Sequence, residues 1–209
     1  MDKKNVSMSD VAVAAGVSLK TVSRVINEPD SVRESTRDRV HAAMEELGFR
    51  ANFAARSLKL GRYGCIGVVL FHLSGGNVDM IDGIADAAEE RGFALTMIKK
   101  RAGEKMTLAE AARRMSQLPV DGMIFNLRQM VDDFDTFEAP KDLKTVIITP
   151  MEHSTCSTVS DDQEGGARMA CEYFLNRGHK NVYFVSGKKE SLSSQCRMKG
   201  WRAALEARG

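Results

Sequence analysis

Residues 15–27 read Ala-Gly-Val-Ser-Leu-Lys-Thr-Val-Ser-Arg-Val-Ile-Asn, and this stretch decides how the first third of the chain folds. Gly16 stops a preceding short helix, because glycine enters the left-handed turn conformation without steric cost. Val17 drops into a core. Ser18 caps the next helix, Leu19 to about Ile26, which turns Val22, Val25 and Ile26 inward. Upstream, Ser7 and Asp10 stand at the spacing of an N-cap and its N3 acid and open a helix carrying Val11, Ala14 and Ala15. Downstream, Ser35 and Asp38 repeat that pair, and Val40, Ala43, Met44 and Leu47 recur at helical spacing until Gly48.

Three short helices with a glycine turn between the first two have the shape of a helix-turn-helix, whose second helix lies in the DNA major groove. The outer face of that helix is Leu19, Lys20, Ser23 and Arg24. Lys20 and Arg24 can donate to guanine O6 and N7, and Leu19 can touch a thymine methyl. Ser18, Thr21, Ser23, Asn27 and Thr36 supply short polar groups suited to phosphates, which set register without reading sequence. A generic three-helix bundle with a solvated polar face is the competing interpretation.

The full string from Ala15 to Asn27, with Ser9 to Ala12 ahead of it and Arg37 to Phe49 behind, closely resembles the DNA-binding headpiece of the lactose-repressor (LacI/GalR) family of bacterial transcription regulators. The resemblance places Leu19, Lys20 and Arg24 on base-reading positions. It implies a repressor that binds a palindromic operator as a dimer and responds to a sugar or nucleoside. The other possibility is a truncated, non-regulating fragment that pairs with intact relatives or is inactive.

Asn52 to Lys59, followed by Gly61, is too short for a lone helix in water, which needs roughly 12 to 15 residues. Either it is a plain linker or, as the resemblance implies, a hinge helix that folds on the minor groove. There Leu58 would wedge between base pairs while Arg56 and Lys59 approach phosphates and Asn52 caps the helix.

From Cys65 the period changes. An apolar run (Cys65 to Phe71) precedes a helix with Ile81, Ile84, Ala85 and Ala88. A strand (Ala94 to Ile98), a helix through Leu108 and Met115, and strands at Gly122 to Phe125 and Thr145 to Thr149 follow. This alternation predicts a parallel sheet covered on both faces. Asp161 then caps a helix to Asn176, Asn181 to Val185 reads as a strand, and a last helix runs to Arg208.

The body resembles the family's effector domain, which is built like a periplasmic sugar-binding protein of two lobes. By that resemblance Arg197 holds the small-molecule effector. Phe71, Ser74, Asn77, Asn126 and Ser193 sit at strand ends or nearby loops, where open α/β sheets bind ligands. The expected class is therefore α plus α/β: a helix-turn-helix headpiece over residues 1–50, a hinge helix over 51–61, and a periplasmic-binding-protein-like domain over 62–209. The last divides into a first lobe to about 160 and a partial second lobe over 161–209. Family members usually run well over a hundred residues further. On that ground the second lobe is expected to be incomplete, its strand at Val182 to Val185 left with unpaired edges, and effector binding weak or absent.

Composition agrees with a globular protein. Of 209 residues, 43% are hydrophobic and 28% charged, which excludes collagen-like and mucin-like chains. The longest apolar run, near Ile66 to Phe71, is far short of a membrane span, and Met1-Asp2-Lys3-Lys4 opens no signal peptide, so a cytoplasmic protein is expected. Net charge is only +2, but residues 1–62 hold 11 Lys and Arg against 8 Asp and Glu, so the basic excess gathers in the headpiece. Cys65, Cys156, Cys171 and Cys196 have no CxxC spacing and read as reduced thiols. His153 and Cys156 could start a metal site but do not close one, so neither metal nor cofactor is expected. No P-loop, GxSxG, HExxH or GxGxxG occurs, which leaves no catalytic constellation.

Overall fold

A computed structural model describes residues 6–50, 61–72 and 77–208. The chain divides into two compact units, residues 1–63 and 64–209. The first is helical and the second is an α/β sheet, as the patterning predicts.

In the first unit, α1 (Met8–Ala15) opens with the expected reciprocal cap: Ser7 and Asp10 each bond the other's backbone N–H. It ends at Gly16, whose φ of 62° is the left-handed conformation a side chain would oppose. Ser18 caps α2 (Leu19–Asn27) by accepting the Thr21 N–H. A short 3-10 turn (Pro29–Ser31) leads to α3 (Glu34–Leu47), which stops at Gly48. Val11, Ala12, Ala15, Val22, Val25, Val40 and Ala43 form the buried core. One expectation is corrected: α3 starts at Glu34 behind Arg33, with no side-chain cap, and not on a Ser35–Asp38 pair. The Arg33 carbonyl accepts the N–H groups of Thr36 and Arg37. Val32, packed against the core just upstream, sets where the helix can begin.

The second unit is built on five parallel strands: β1 (Cys65–Leu70), β2 (Ala94–Lys99), β3 (Gly122–Asn126), β4 (Lys144–Ile148) and β5 (Ser157–Val159). Their order is β2-β1-β3-β4-β5. The direction of winding therefore reverses at β1, between β2 on one side and β3 on the other. Helices α4 (Val78–Glu89) and α5 (Leu108–Met115) cross over between the early strands. Gly67 lets α5 approach, since a Cβ there would overlap the Met115 side chain. The main core gathers Val69, Phe71, Leu108, Met115, Met123, Phe125 and Ile147. β5 escapes sequence reading because three residues, Ser-Thr-Val, carry no usable period.

The remaining helices, α6 (Gln163–Asn176) and α7 (Leu192–Glu206), pack on each other around Cys171, Leu175 and Ala204. A Cβ at Gly200 would overlap the backbone carbonyl of Glu164, so this glycine permits the close crossing. Asp162, not Asp161, caps α6, accepting the Gly165 N–H at 2.7 Å. The strand expected over Asn181 to Val185 does not form. Its alternation is nevertheless expressed: Val182 packs with α6 and α7, and Phe184 stacks on Trp201 at 5.8 Å, whereas Tyr183 and Val185 are 86% and 94% exposed. A strand needs a neighbour to share its ladder, and none lies beside this segment among the described residues.

The loop after β2 is pinned to α5. Glu104 accepts the Arg101 N–H at 2.8 Å and pairs with Arg114 at 2.5 Å, while Arg114 also meets Glu110 at 2.8 Å. The Arg101 N–H, then Arg114, hold the Glu104 carboxyl below its ordinary value of 4.5. A carboxylate with a depressed folded-state pKa stabilises above its unfolded value and loses that contribution as pH falls through the folded one. Glu104→Gln is therefore expected to lower the thermal midpoint at pH 7, with the difference from the parent shrinking as the pH falls through and below the ordinary carboxylate range, as followed by circular dichroism.

Candidate functional site

The headpiece face opposite the core is set by helical geometry. With Val22 wholly buried and Val25 nearly so, the residues displaced around the helix must point outward. Leu19, Lys20 and Arg24 are all exposed, Leu19 by 51%, and Lys20 and Arg24 share a face at i and i+4. An exposed leucine beside two cations suits a surface that meets both base edges and phosphates.

The polar residues named from sequence divide. Ser18 and Thr21 join hydroxyl to hydroxyl at 2.8 Å, so one donates to the other and the second proton stays available to an outside acceptor. Asn27 is turned back on its own helix: its Nδ2 donates to the Ser23 carbonyl at 2.7 Å, and its Oδ1 is buried without a hydrogen-bond partner. Ser23 and Thr36 are half-buried. Asn52, Arg56, Leu58 and Lys59, the hinge residues, lie outside the described residues, as does Ser74.

The effector residues named from sequence are brought together only in part. Asn126 and Ser193 meet in a small cleft at the carboxyl ends of β3 and β4, lined also by Arg128, Thr149, Ser160 and Asp161. This cleft is about 30 Å³, room for roughly one water molecule. The Asn126 side chain is 1% exposed and its Nδ2 has no hydrogen-bond partner, so it offers a donor to an incoming oxygen. Arg197 is not on this wall. Its Nη1 donates to Gln163 Oε1, and Gln163 Nε2 donates to Asp161 Oδ2, so the guanidinium reaches the cleft only through a relay. Asn77 is fully buried and spends its Nδ2 on the His72 carbonyl at 2.5 Å, a structural role. Phe71 belongs to a different cleft, nearer β1 and β2.

Sequence reading missed Arg128, Thr149, Ser160 and Asp161 as cleft residues. Three of the four follow β4 or β5 directly, so position after a strand was the available signal. His153 serves its own loop: Nδ1 accepts the N–H groups of Thr155 and Cys156 at 3.2 and 3.1 Å, and the ring meets Phe134 edge to face. Burial raises the Cys65 and Cys171 thiols above their ordinary value of 9.0.

The first unit thus carries the helices and glycine turn of a helix-turn-helix, and the second is a parallel sheet with clefts along its carboxyl edge. Residues 7–52 match the family described as bacterial regulatory proteins, lacI family, and residues 68–209 match periplasmic binding proteins and sugar binding domain of LacI family. This chain belongs to the LacI family.

Among its relatives is the HTH-type transcriptional regulator YkvZ of Bacillus subtilis, 32% identical over 97% of this chain and 62% of that protein. The HTH-type transcriptional regulator MalR of Streptococcus pneumoniae is 31% identical over 96% and 63%. The Lac repressor bound to ONPG in its repressed state is similar with a TM-score of 0.74 at 26% identity, over 98% of this chain and 63% of that one. The chain thus spans somewhat over 60% of the length of the relatives it matches. These relatives are named as regulators of transcription, not as enzymes. Among the described residues, no helix is long and apolar enough to cross a membrane.

The cap of α2 couples headpiece stability to its outer face. Ser18→Ala is expected to cost about 1 kcal/mol, within the usual range for loss of an N-cap, as measured by urea unfolding monitored through helical circular dichroism.

Proposed function

We propose that this protein is a sequence-specific transcription regulator, a repressor that binds a palindromic operator as a homodimer in the cytoplasm. The observation that carries this reading is the single exposed ridge of Leu19, Lys20 and Arg24 opposite the sealed Val22–Val25 face. Arg24 donates in bidentate fashion to a guanine, Lys20 adds a second base-edge donor, and Leu19 contacts a thymine methyl. Ser18 and Thr21 bind phosphate through their shared hydroxyl pair, with Ser23, Asn27 and Thr36 bordering the backbone path. Residues 1–50 act as the DNA-binding headpiece, 51–61 as the hinge, and 62–209 as the effector and dimerisation domain.

On DNA the hinge orders as a helix: Leu58 wedges into the minor groove, and Asn52, Arg56 and Lys59 hold the backbone around it. Ordering of so short a segment is easily biased by the attached domain, which makes it the coupling element. The regulatory signal is a sugar or nucleoside. A similar solved structure, the complex of the transcriptional regulator CelR with cellobiose, supports a sugar as that ligand. Asn126 and Ser193 would hydrogen-bond its hydroxyls, with Arg197 acting through Gln163 and Asp161 and Phe71, Ser74 and Asn77 framing the nearby strand ends. The small size of the cleft in this structure supports weak effector binding by the 209-residue polypeptide.

Selection from a random duplex library followed by footprinting tests the reading. Protection of two symmetric half-sites is expected, and equal competition by mixed-sequence DNA overturns it. Arg24→Ala should cost roughly 1 to 3 kcal/mol and relax specificity at one base pair. Leu58→Ala should weaken binding and reduce DNA bending in a circular-permutation gel assay; unchanged bending removes the hinge wedge from the mechanism.

A further inference from the structure

Residues 181–185 follow α6 and join no sheet, yet their burial alternates one by one. Val182 and Phe184 are half-buried, whereas Asn181, Tyr183 and Val185 are exposed. A period of two is the mark of an extended backbone with one face laid against a neighbour. The covered face meets α6 and α7: Val182 packs with Cys171, Leu175 and Ala204, and Phe184 stacks on Trp201.

In an extended chain, successive residues turn their N–H and C=O groups to opposite edges. Val182 and Phe184 therefore share one edge, and Asn181, Tyr183 and Val185 the other. The first edge is closed, because Trp201 Nε1 donates to the Val182 carbonyl at 2.9 Å. On the second edge, the backbone groups of Asn181, Tyr183 and Val185 have no hydrogen-bond partner among the described residues. Such a row of open donors and acceptors is a template for the addition of another strand.

The same edge of a second copy matches it. Antiparallel pairing about Tyr183 sets Tyr183 opposite Tyr183 and Asn181 opposite Val185, which engages the open groups alone. On the covered face it brings Val182 opposite Phe184 twice, a β-branched and aromatic pairing that stabilises antiparallel strands. Beyond the ends, Lys180 falls opposite Ser186 and Lys188 opposite Gly178, so no charge faces its like. Parallel pairing in register would stack Lys180 on Lys180, and pairing about Phe184 would set Lys180 against Lys188 on the edge that Trp201 holds. Two strands alone are marginal, but here each is backed by the α6 and α7 of its own copy. With the other edge closed, the assembly stops at two chains and does not run on into a filament.

We propose that residues 181–185 are an interaction surface for a second copy of this chain, which adds to it as an antiparallel strand about a two-fold axis at Tyr183. This contact uses no headpiece residue and is independent of the operator-binding reading. The paired segment is much shorter than the roughly 20 to 30 residues a side of a standard interface, so the association is weak and set by concentration.

Amide hydrogen exchange read by NMR on the whole chain, over a wide range of chain concentration, tests the pairing. Protection of the Asn181, Tyr183 and Val185 amides should rise with concentration while that of Val182 and Phe184 does not, since only the first set enters the ladder. Sedimentation velocity should show an association step that Tyr183→Lys weakens at least about tenfold, a change of about 1.4 kcal/mol, by placing two ammonium groups face to face. Tyr183→Phe should retain that step. Tyr183 is 86% exposed, so both variants are expected to fold, which circular dichroism verifies. Three results overturn the proposal: protection that does not depend on concentration, protection centred on Val182 and Phe184, or an association that Tyr183→Lys leaves unchanged. Footprinting of the parent chain reports on the operator reading separately.

Discussion

Parallel pairing of β1 with β2 on one side and β3 on the other is the constraint from which the functional geometry of the body follows. Strands that run the same way must be joined by crossovers, so every loop leaving a carboxyl end arrives at the same edge. Phe71, Lys100, Asn126 and Thr149 are far apart in sequence yet are all delivered there. The same pairing buries both faces of β1, which explains why Val68 and Val69 are almost wholly covered. Antiparallel pairing of any one of these strands would send its loop to the opposite edge.

Along that edge, two neighbouring clefts differ in what braces them. Near β3 and β4, Asn126 carries a buried, unpartnered amide group, an arrangement that costs about 1 to 3 kcal/mol until an acceptor meets it. Near β1 and β2 the polar groups of the walls are mutually satisfied, and the surplus lies in two lysines on the rim. One cleft is therefore poised to donate a hydrogen bond to a neutral hydroxyl oxygen, the other to attract charge.

The headpiece obeys a simpler rule. An amphipathic helix of nine residues has one face for its partners, and once Val22 and Val25 contact Val11, Ala15 and Val40, the opposite face has no choice but solvent or a ligand. Ser18 contributes twice, closing an unpaired N–H at the helix start and sharing a proton with Thr21. Asn27 shows the limit of reasoning by residue type. Its amide is a fair phosphate donor in the abstract, but here it folds onto the Ser23 carbonyl at the end of its own helix.

Local rules explain what was legible. Gly16 and Gly48 mark helix ends because left-handed turns exclude side chains, and the inward valines of α2 follow from a 3.6-residue period. The alternating runs from Cys65 onward announce a parallel sheet because only such a sheet buries strands on both faces. The segment from Asn181 to Val185 was misread for an equally physical reason: its alternation is real, but a strand also requires a neighbour that no local pattern supplies.

By itself, then, the order of residues determined the helix boundaries of the headpiece, its exposed ridge and the α/β character of the body, since each depends on neighbours within a few positions. Only tertiary structure decided that Phe71 parts company with Asn126 and Ser193, that Arg197 hydrogen-bonds Gln163 and does not line their cleft, and that Lys100 and Lys105 share a cleft. Those arrangements depend on strand order and loop bracing, which bring together residues separated by tens of positions along the chain.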